Sequence, residues 1–163
     1  MKSGFEIIEY SPEYQESIRK ILTEIGWAER YVSSAEQNMH NLSQDKKRFG
    51  VYLAVADGEA IGFLYIEFYA WNQLSQIQGL AVDPDFHRQG IASALVARAE
   101  EFARSKHARG VYVDTPIKNT RGRKFYEALG YQLGYIMPHF YEDELDGVTY
   151  QKFFTSPPSS TTL

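Results

Sequence analysis

The sequence predicts an α/β fold: a mixed central sheet with helices on both faces, its elements in the order β-α-α-β-β-β-α-β-α-β-β. Three observations carry that expectation. Asp57-Gly58 separates two runs rich in β-formers, which is the signature of a two-residue hairpin. Ile91, Leu95, Val96, Ala99, Phe102 and Ala103 recur on one helical face. Val111-Tyr112-Val113 follows that helix as a short apolar run of the buried, parallel-sheet kind. A chain of 163 residues favours one domain with a sizeable core.

Taken in order, Phe5 to Tyr10 reads as a first strand. Ser11-Pro12 starts a helix, with Ser at the N-cap and Pro at the first helical position. Ile18, Ile21, Leu22 and Ile25 form its apolar face, and Gly26 ends it. Residues 27–32 read as a connector. Ser33-Ser34, followed by Glu36 and Gln37, offers two overlapping capping boxes for a second helix to about Lys47. Its apolar stripe, Met39 and Leu42, is weak, which predicts an outer position.

Three strands follow as a meander: Gly50 to Ala56, Ala60 to Ala70, and Ile77 to Val82, with a turn at Asn72-Gln73. Asp83-Pro84-Asp85 breaks the third. Gly90 to Lys106 is the clearest helix. Asn119 to Leu129 is another, closed by Gly130 at its C′ position. Residues 131–136 and 148–154 form a closing antiparallel pair. The domain spans 1–154, and the Ser/Thr/Pro-rich residues 155–163 read as a flexible C-terminal tail.

Composition excludes several function classes. Cysteine is absent, which removes disulfides, a cysteine nucleophile and thiolate metal sites. Lys and Arg number 17 against 21 Asp and Glu, so no basic footprint marks a nucleic-acid partner. No apolar run reaches the roughly 18–20 residues of a membrane span, and Phe5-Glu6-Ile7-Ile8-Glu9 near the start is neither a signal nor a transit peptide. The expectation is a cytoplasmic protein without a membrane partner. His40, His87, His107 and His139 show no metal-ligand spacing, so no metal is expected. Walker A, GxGxxG and GxSxG patterns are missing.

The informative stretch is Leu80-Ala81-Val82-Asp83-Pro84-Asp85-Phe86-His87-Arg88-Gln89-Gly90-Ile91-Ala92. A strand breaks, turns, and enters a helix through Gly90, with small residues at Ala92, Ser93 and Ala94. Unsatisfied N–H groups and the positive dipole end make such a place an anion site, and small side chains let a phosphate reach the backbone. A helix start that needs a Gly for its turn is the plainer reading. The second stretch, Asn119 to Tyr131, contains Phe125-Tyr126-Glu127 and ends in Gly130-Tyr131. Phe125 and Leu129 suit core positions, which leaves Asn119 and Tyr126 unaccounted for.

Together the two stretches resemble the GCN5-related N-acetyltransferase (GNAT) family. Its phosphate signature is matched by His87, Gly90 and Ala92 after Leu80, Val82 and Pro84, and its later signature by Asn119, Phe125, Tyr126, Glu127, Gly130 and Tyr131. The resemblance implies a GNAT-like fold over 1–154 and acetyl-CoA as cosubstrate. It implies that Leu80, Ala81 and Val82 pair with the pantetheine arm, and that the turn from His87 through Arg88, Gln89, Gly90, Ile91 and Ala92 to Ser93 takes the pyrophosphate. It implies that Asn119 touches the pantetheine arm or the attacking end, and that Tyr126 lines the cofactor site as general acid. Position 87 holds His where the family has Gln or Arg. A protonated His87 would bind phosphate, so cofactor affinity is expected to fall as pH rises.

A phenol of pKa about 10 holds its proton at neutral pH and can pass it to a thiolate whose parent thiol has a pKa of about 8.5. The acceptor amine must be neutral to attack. The strand where some family members carry a catalytic carboxylate offers only Gln76 and Gln78, so Glu67 on the preceding strand is the nearest candidate base, with relayed water the alternative. The acceptor pocket is expected from Trp27, Glu29 and Tyr31, from Phe68, Tyr69 and Trp71, and from the loop His139 to Asp146. Arg121, Arg123 and Lys124 read as solvated helix charges within reach of a 3′-phosphate. The implied function is direct acetyl transfer to a primary amine, on a protein or a small molecule. A non-catalytic acyl-CoA-binding module on the same scaffold is the alternative. Dimers are common in the family, which allows a homodimer.

Overall fold

The computed structural model describes residues 4–154, with the side chain of Tyr31 excepted. The expected tail at 155–163 lies outside the described residues. Seven strands form one sheet: β1 (Glu6–Glu9), β2 (Phe49–Ala56), β3 (Glu59–Tyr69), β4 (Leu74–Val82), β5 (Gly110–Pro116), β6 (Gln132–Glu142) and β7 (Leu145–Phe153). Their spatial order is β1-β2-β3-β4-β5-β7-β6. Only β4 and β5 pair in parallel; every other neighbour is antiparallel. The helices are α1 (Gln15–Glu24), α2 (Glu29–Ser43), α3 (Ile91–Ser105) and α4 (Thr120–Ala128), in the predicted order.

Alternation along the strands sorts the core into two layers. On one face α1 and α2 bury Ile18, Ile21, Leu22, Val32, Ala35 and Met39 against Val51, Leu53 and Phe63. On the other face α3 and α4 bury Ile91, Leu95, Ala99, Phe102 and Tyr126 against Leu64, Ile66, Ile77, Val111, Val113 and Tyr150. The β2–β3 hairpin turns through Asp57 (φ 51°) and Gly58 (φ 78°), both left-handed as a tight primed turn requires.

Several expectations are corrected on the α1/α2 side. The second helix begins at Glu29, four residues before the predicted Ser33 cap, and ends at Ser43. Arg19 of α1 ion-pairs with both Glu29 and Glu36, so an interhelical contact anchors the first turn. The Ser33 hydroxyl donates to Glu29 Oε1 (3.1 Å) rather than capping a helix start. The earlier start brings Val32 and Ala35 onto the same face as Met39, all buried, so α2 packs on the sheet instead of lying outside it. The helix predicted at Ser11-Pro12 opens as a single 3₁₀ turn, Pro12–Tyr14, before α1. β6 and β7 are longer than predicted and meet in a short turn at Asp143-Glu144. No helix among the described residues is long and apolar enough to cross a membrane.

Candidate active site

The site begins with a failure of strand pairing. β4 and β5 share a ladder only from Leu74↔Gly110 to Ile77↔Val113. Both strands run on, and they diverge. The cause sits on β4: Tyr65 pairs with Gly79 while Ile66 pairs with Ile77, so Gln78 is an extra residue, a bulge. Bulges bend the strand that carries them. Gly79 lies under the Tyr65 ring, where a Cβ would collide with Tyr65 Cε1. Between the splayed strands opens a cleft of about 830 Å³, with Gln78 to Val82 on one wall and Val113 to Pro116 on the other. Such a volume suits a small-molecule site. The backbone of residues 78–82 is bonded to β3 on one side and presents its other edge to the cleft.

At the N-terminal end of α3, a turn over Pro84–Phe86 leads to Gly90, whose φ of 79° admits the chain to the helix. The Asp83 side chain holds the turn by accepting from the Asp85 N–H (2.9 Å). The first helical bond outside that turn runs from Ala94 N–H to Gly90 O (3.0 Å), so the amides of Ile91, Ala92 and Ser93 have no helical acceptor. His87, Arg88, Gly90, Ile91, Ala92 and Ser93 all line the cleft, as do Leu80, Ala81 and Val82; Gln89 does not. An anion placed here would meet free N–H groups at the positive end of a fifteen-residue helix.

His87 is engaged differently from the phosphate donor expected. Its Nε2 lies 3.1 Å from the Val82 carbonyl and its Nδ1 lies 3.3 Å from Arg121 Nη2. One partner is an acceptor and the other a donor, which the neutral Nε2–H tautomer satisfies. The guanidinium of Arg121, itself a cleft residue, is therefore a cation presented beside the turn, together with Arg88 of the turn itself. Arg123 is no solvated charge: it donates to the Tyr150 hydroxyl and to Ile117 O, both at 3.0 Å.

Asn119 caps α4, accepting from the Gly122 N–H (3.0 Å) and donating to Thr115 Oγ1 (3.0 Å). Both ends of its amide are thus occupied at the rim of the cleft. Tyr126, about two turns on, is buried yet reaches the cleft. Its ring packs on Phe125, Tyr131 and Tyr150, with centroids 5.1, 5.7 and 6.4 Å away. Its hydroxyl has no hydrogen-bond partner among the described residues. Burial, then the neighbouring Tyr141, holds it well above the usual phenol range, so it stays protonated.

Glu67 is 5% exposed, ion-paired to Arg48 and bonded to Gln78 Nε2 (2.7 Å), and it is not among the cleft-lining residues. The carboxylate that does line the cleft is Asp114, which sequence reasoning missed. Asp114 lies in a segment that reads only as a strand continuing past Val113. Its place became visible with β5 between β4 and β7. Of the expected acceptor residues, Trp27 lines the cleft, Glu29 is paired with Arg19, and Trp71 is 85% exposed.

A sequence model described as the acetyltransferase (GNAT) family matches residues 13–131. An aminoglycoside N(6′)-acetyltransferase type 1 of Salmonella typhimurium is 31% identical over 88 residues, covering 50% of this chain and 61% of that protein. An aminoalkylphosphonate N-acetyltransferase of the same species is 37% identical over 84 residues, covering 49% of this chain and 54% of that protein. The chain spans between half and two thirds of the length of these relatives. Among solved structures, an aminoglycoside 6′-N-acetyltransferase complexed with coenzyme A has a TM-score of 0.79 at 18% identity, covering 94% of this chain and 99% of that one. PaiA N-acetyltransferase of Thermoplasma acidophilum, in complex with coenzyme A, has a TM-score of 0.75 at 18% identity, covering 93% and 99%. At such identities the likeness is one of fold.

Proposed function

The chain belongs to the acetyltransferase (GNAT) family, and from that premise we propose that it is an N-acetyltransferase moving an acetyl group from acetyl-CoA directly to a primary amine. The observation that carries the reading is the divergence of β4 from β5, which opens a cleft with an anion-binding turn at one end and Tyr126 in its wall. Acetyl-CoA fits what the residues offer. The free backbone edge of Gln78 to Val82 suits the amides of a pantetheine arm, as an added strand would. The amides of Ile91 to Ser93, with Arg121, suit a pyrophosphate.

In this reading the chain's residues orient and protonate. The β4 edge holds the thioester in line for attack by the neutral amine, whose nitrogen bonds to the carbonyl carbon as the C–S bond breaks. Tyr126 donates its proton to the departing sulfur and regains one from solvent. The proton lost by the amine leaves through water or a carboxylate. Glu67 is shielded from the cleft by its pairing with Arg48, which leaves relayed water as the proton's route. The relatives' acceptors differ in charge, an aminoglycoside being polycationic and an aminoalkylphosphonate a zwitterion that carries an anionic phosphonate.

A thermal-shift titration with acetyl-CoA, CoA, ATP and NAD tests the reading. A ligand at 100 times its Kd adds about 2.7 kcal/mol, or roughly 5–10 °C for a chain of this size. Stabilisation by the two CoA species, with thiol release on adding an amine, is the expected result. No shift with either would overturn it.

A further inference from the structure

One face of the sheet carries a chain of polar side chains that ends in the cleft. Arg48 pairs with Glu67, whose Oε1 accepts from Gln78 Nε2 (2.7 Å). The same amide reaches the Tyr69 hydroxyl (3.1 Å), which donates to Gln76 Oε1 (2.9 Å). Gln76 Nε2 in turn donates to Asp114 Oδ2 (3.1 Å), and the Thr149 hydroxyl donates to Asp114 Oδ1. The series holds two carboxylates and one cation. Glu67 has the cation. Asp114 is held in place by two neutral donors and makes no ion pair among the described residues. Among the described residues it is also the one acid lining the cleft.

The surroundings leave that charge uncompensated. Tyr112 stands two positions before Asp114 on β5, and the hydroxyls of Tyr112 and Tyr141 are each pushed up to about 12, by burial first and by Asp114 among the lesser causes, so they remain neutral. α1 and α2 cover β2 and β3 on this face and leave the β5 surface open, with Tyr112 and Asp114 half-buried. Ile117 N–H donates to Asp146 O (3.0 Å), which ties the acidic β6–β7 turn beside the end of β5. A fixed, half-buried carboxylate in the cleft wall that makes no ion pair among the described residues is a place for an ammonium group.

The amine that attacks the thioester must have lost its proton, so an ammonium held on Asp114 is a different group of the same molecule. We infer that Asp114, positioned by Gln76 and Thr149, binds a second ammonium of the acceptor, and that the acceptor is a small di- or polycationic amine. This rests on the acetyltransferase reading and narrows it against anionic amines and against single-amine acceptors.

The test is steady-state acetyl transfer, followed by thiol release, to spermidine, tobramycin, aminoethylphosphonate and a neutral peptide with one free α-amine. Spermidine or tobramycin is the expected preferred acceptor. Asp114→Asn is expected to raise its KM at least about tenfold with acetyl-CoA affinity retained. Since an altered network could perturb folding, wild-type KM is also measured against salt, where a rise for the polycation and none for the peptide is expected. Preference for aminoethylphosphonate or the peptide, or a polycation KM indifferent to both Asp114→Asn and salt, overturns the inference while the acetyltransferase reading stands. Absence of both CoA stabilisation and thiol release with any amine overturns the two together.

Discussion

Tyr126 holds its ring by packing and leaves its hydroxyl unbonded among the described residues, so ring and hydroxyl can be separated by mutation. Tyr126→Phe keeps the contacts with Phe125, Tyr131 and Tyr150. It should fold normally and bind acetyl-CoA, and its kcat should fall by about 10²–10⁴-fold, the usual weight of one positioned proton donor. Activity equal to wild type would favour a binding module on the same scaffold. At the phosphate end, the pairing of His87 with Arg121 separates a positioning group from a charged one. Arg121→Ala should weaken acetyl-CoA binding about tenfold or more, as loss of a charge-assisted contact does, and His87→Asn should cost less. Calorimetric titration of the two variants checks the order. The Gly90 turn was legible from local pattern, whereas the role proposed for Tyr126 came from the resemblance its motif carries. Arg121 read as a helix charge within reach of a 3′-phosphate, and its contact with His87 was not foreseen, since that partner stands 34 positions earlier in the chain.

Among the elements, β4 governs the site. Its bulge at Gln78 ends the ladder to β5, and Gly79 lets the Tyr65 ring lie across the strand. Gly79→Ala forces that ring away. Overpacking of this kind costs about 1–3 kcal/mol, and each kcal/mol lowers Tm by about 2–4 °C for a chain of this size. The same change should weaken acetyl-CoA binding by displacing the free edge. Calorimetry and ligand titration on one preparation check both parts; an unchanged Tm with unchanged affinity would show that the bulge tolerates a side chain. The sequence shows the strand and its end at Asp83-Pro84, but a bulge depends on how two strands register. In α2, likewise, the Ser33-Ser34 capping pattern is genuine chemistry. It is overridden by the Arg19 pairs to Glu29 and Glu36, which no local window contains.

For the molecule as a whole, the tyrosines that seal the two layers set an alkaline limit. Burial raises the hydroxyls of Tyr52, Tyr65, Tyr126 and Tyr131 above the ordinary value of 10.0. A group whose folded pKa lies above its unfolded one contributes stability that is complete below the unfolded value and declines as pH rises past it. Denaturant unfolding should therefore show constant stability from pH 8 to about 9.5 and a progressive loss above about 10. Stability that held flat to pH 11 would mean these rings are more accessible than the packing indicates.

The sequence by itself determined the order of elements, the hairpin at Asp57-Gly58, the apolar faces of α1 and α3, the Gly90 turn and the two motifs that mark the family. Each is set by a period, a turn residue or a spacing, and such signals are complete within a few dozen residues. Only the tertiary structure placed β5 between β4 and β7. With β5 between β4 and β7, Asp114 meets Gln76 and Thr149 from three strands at once, while Glu67 is turned to Arg48 and away from the cleft. The charge of the site, and with it the kind of amine it suits, is a sum over side chains brought together from separate strands. A sum of that kind exists only once the sheet has closed.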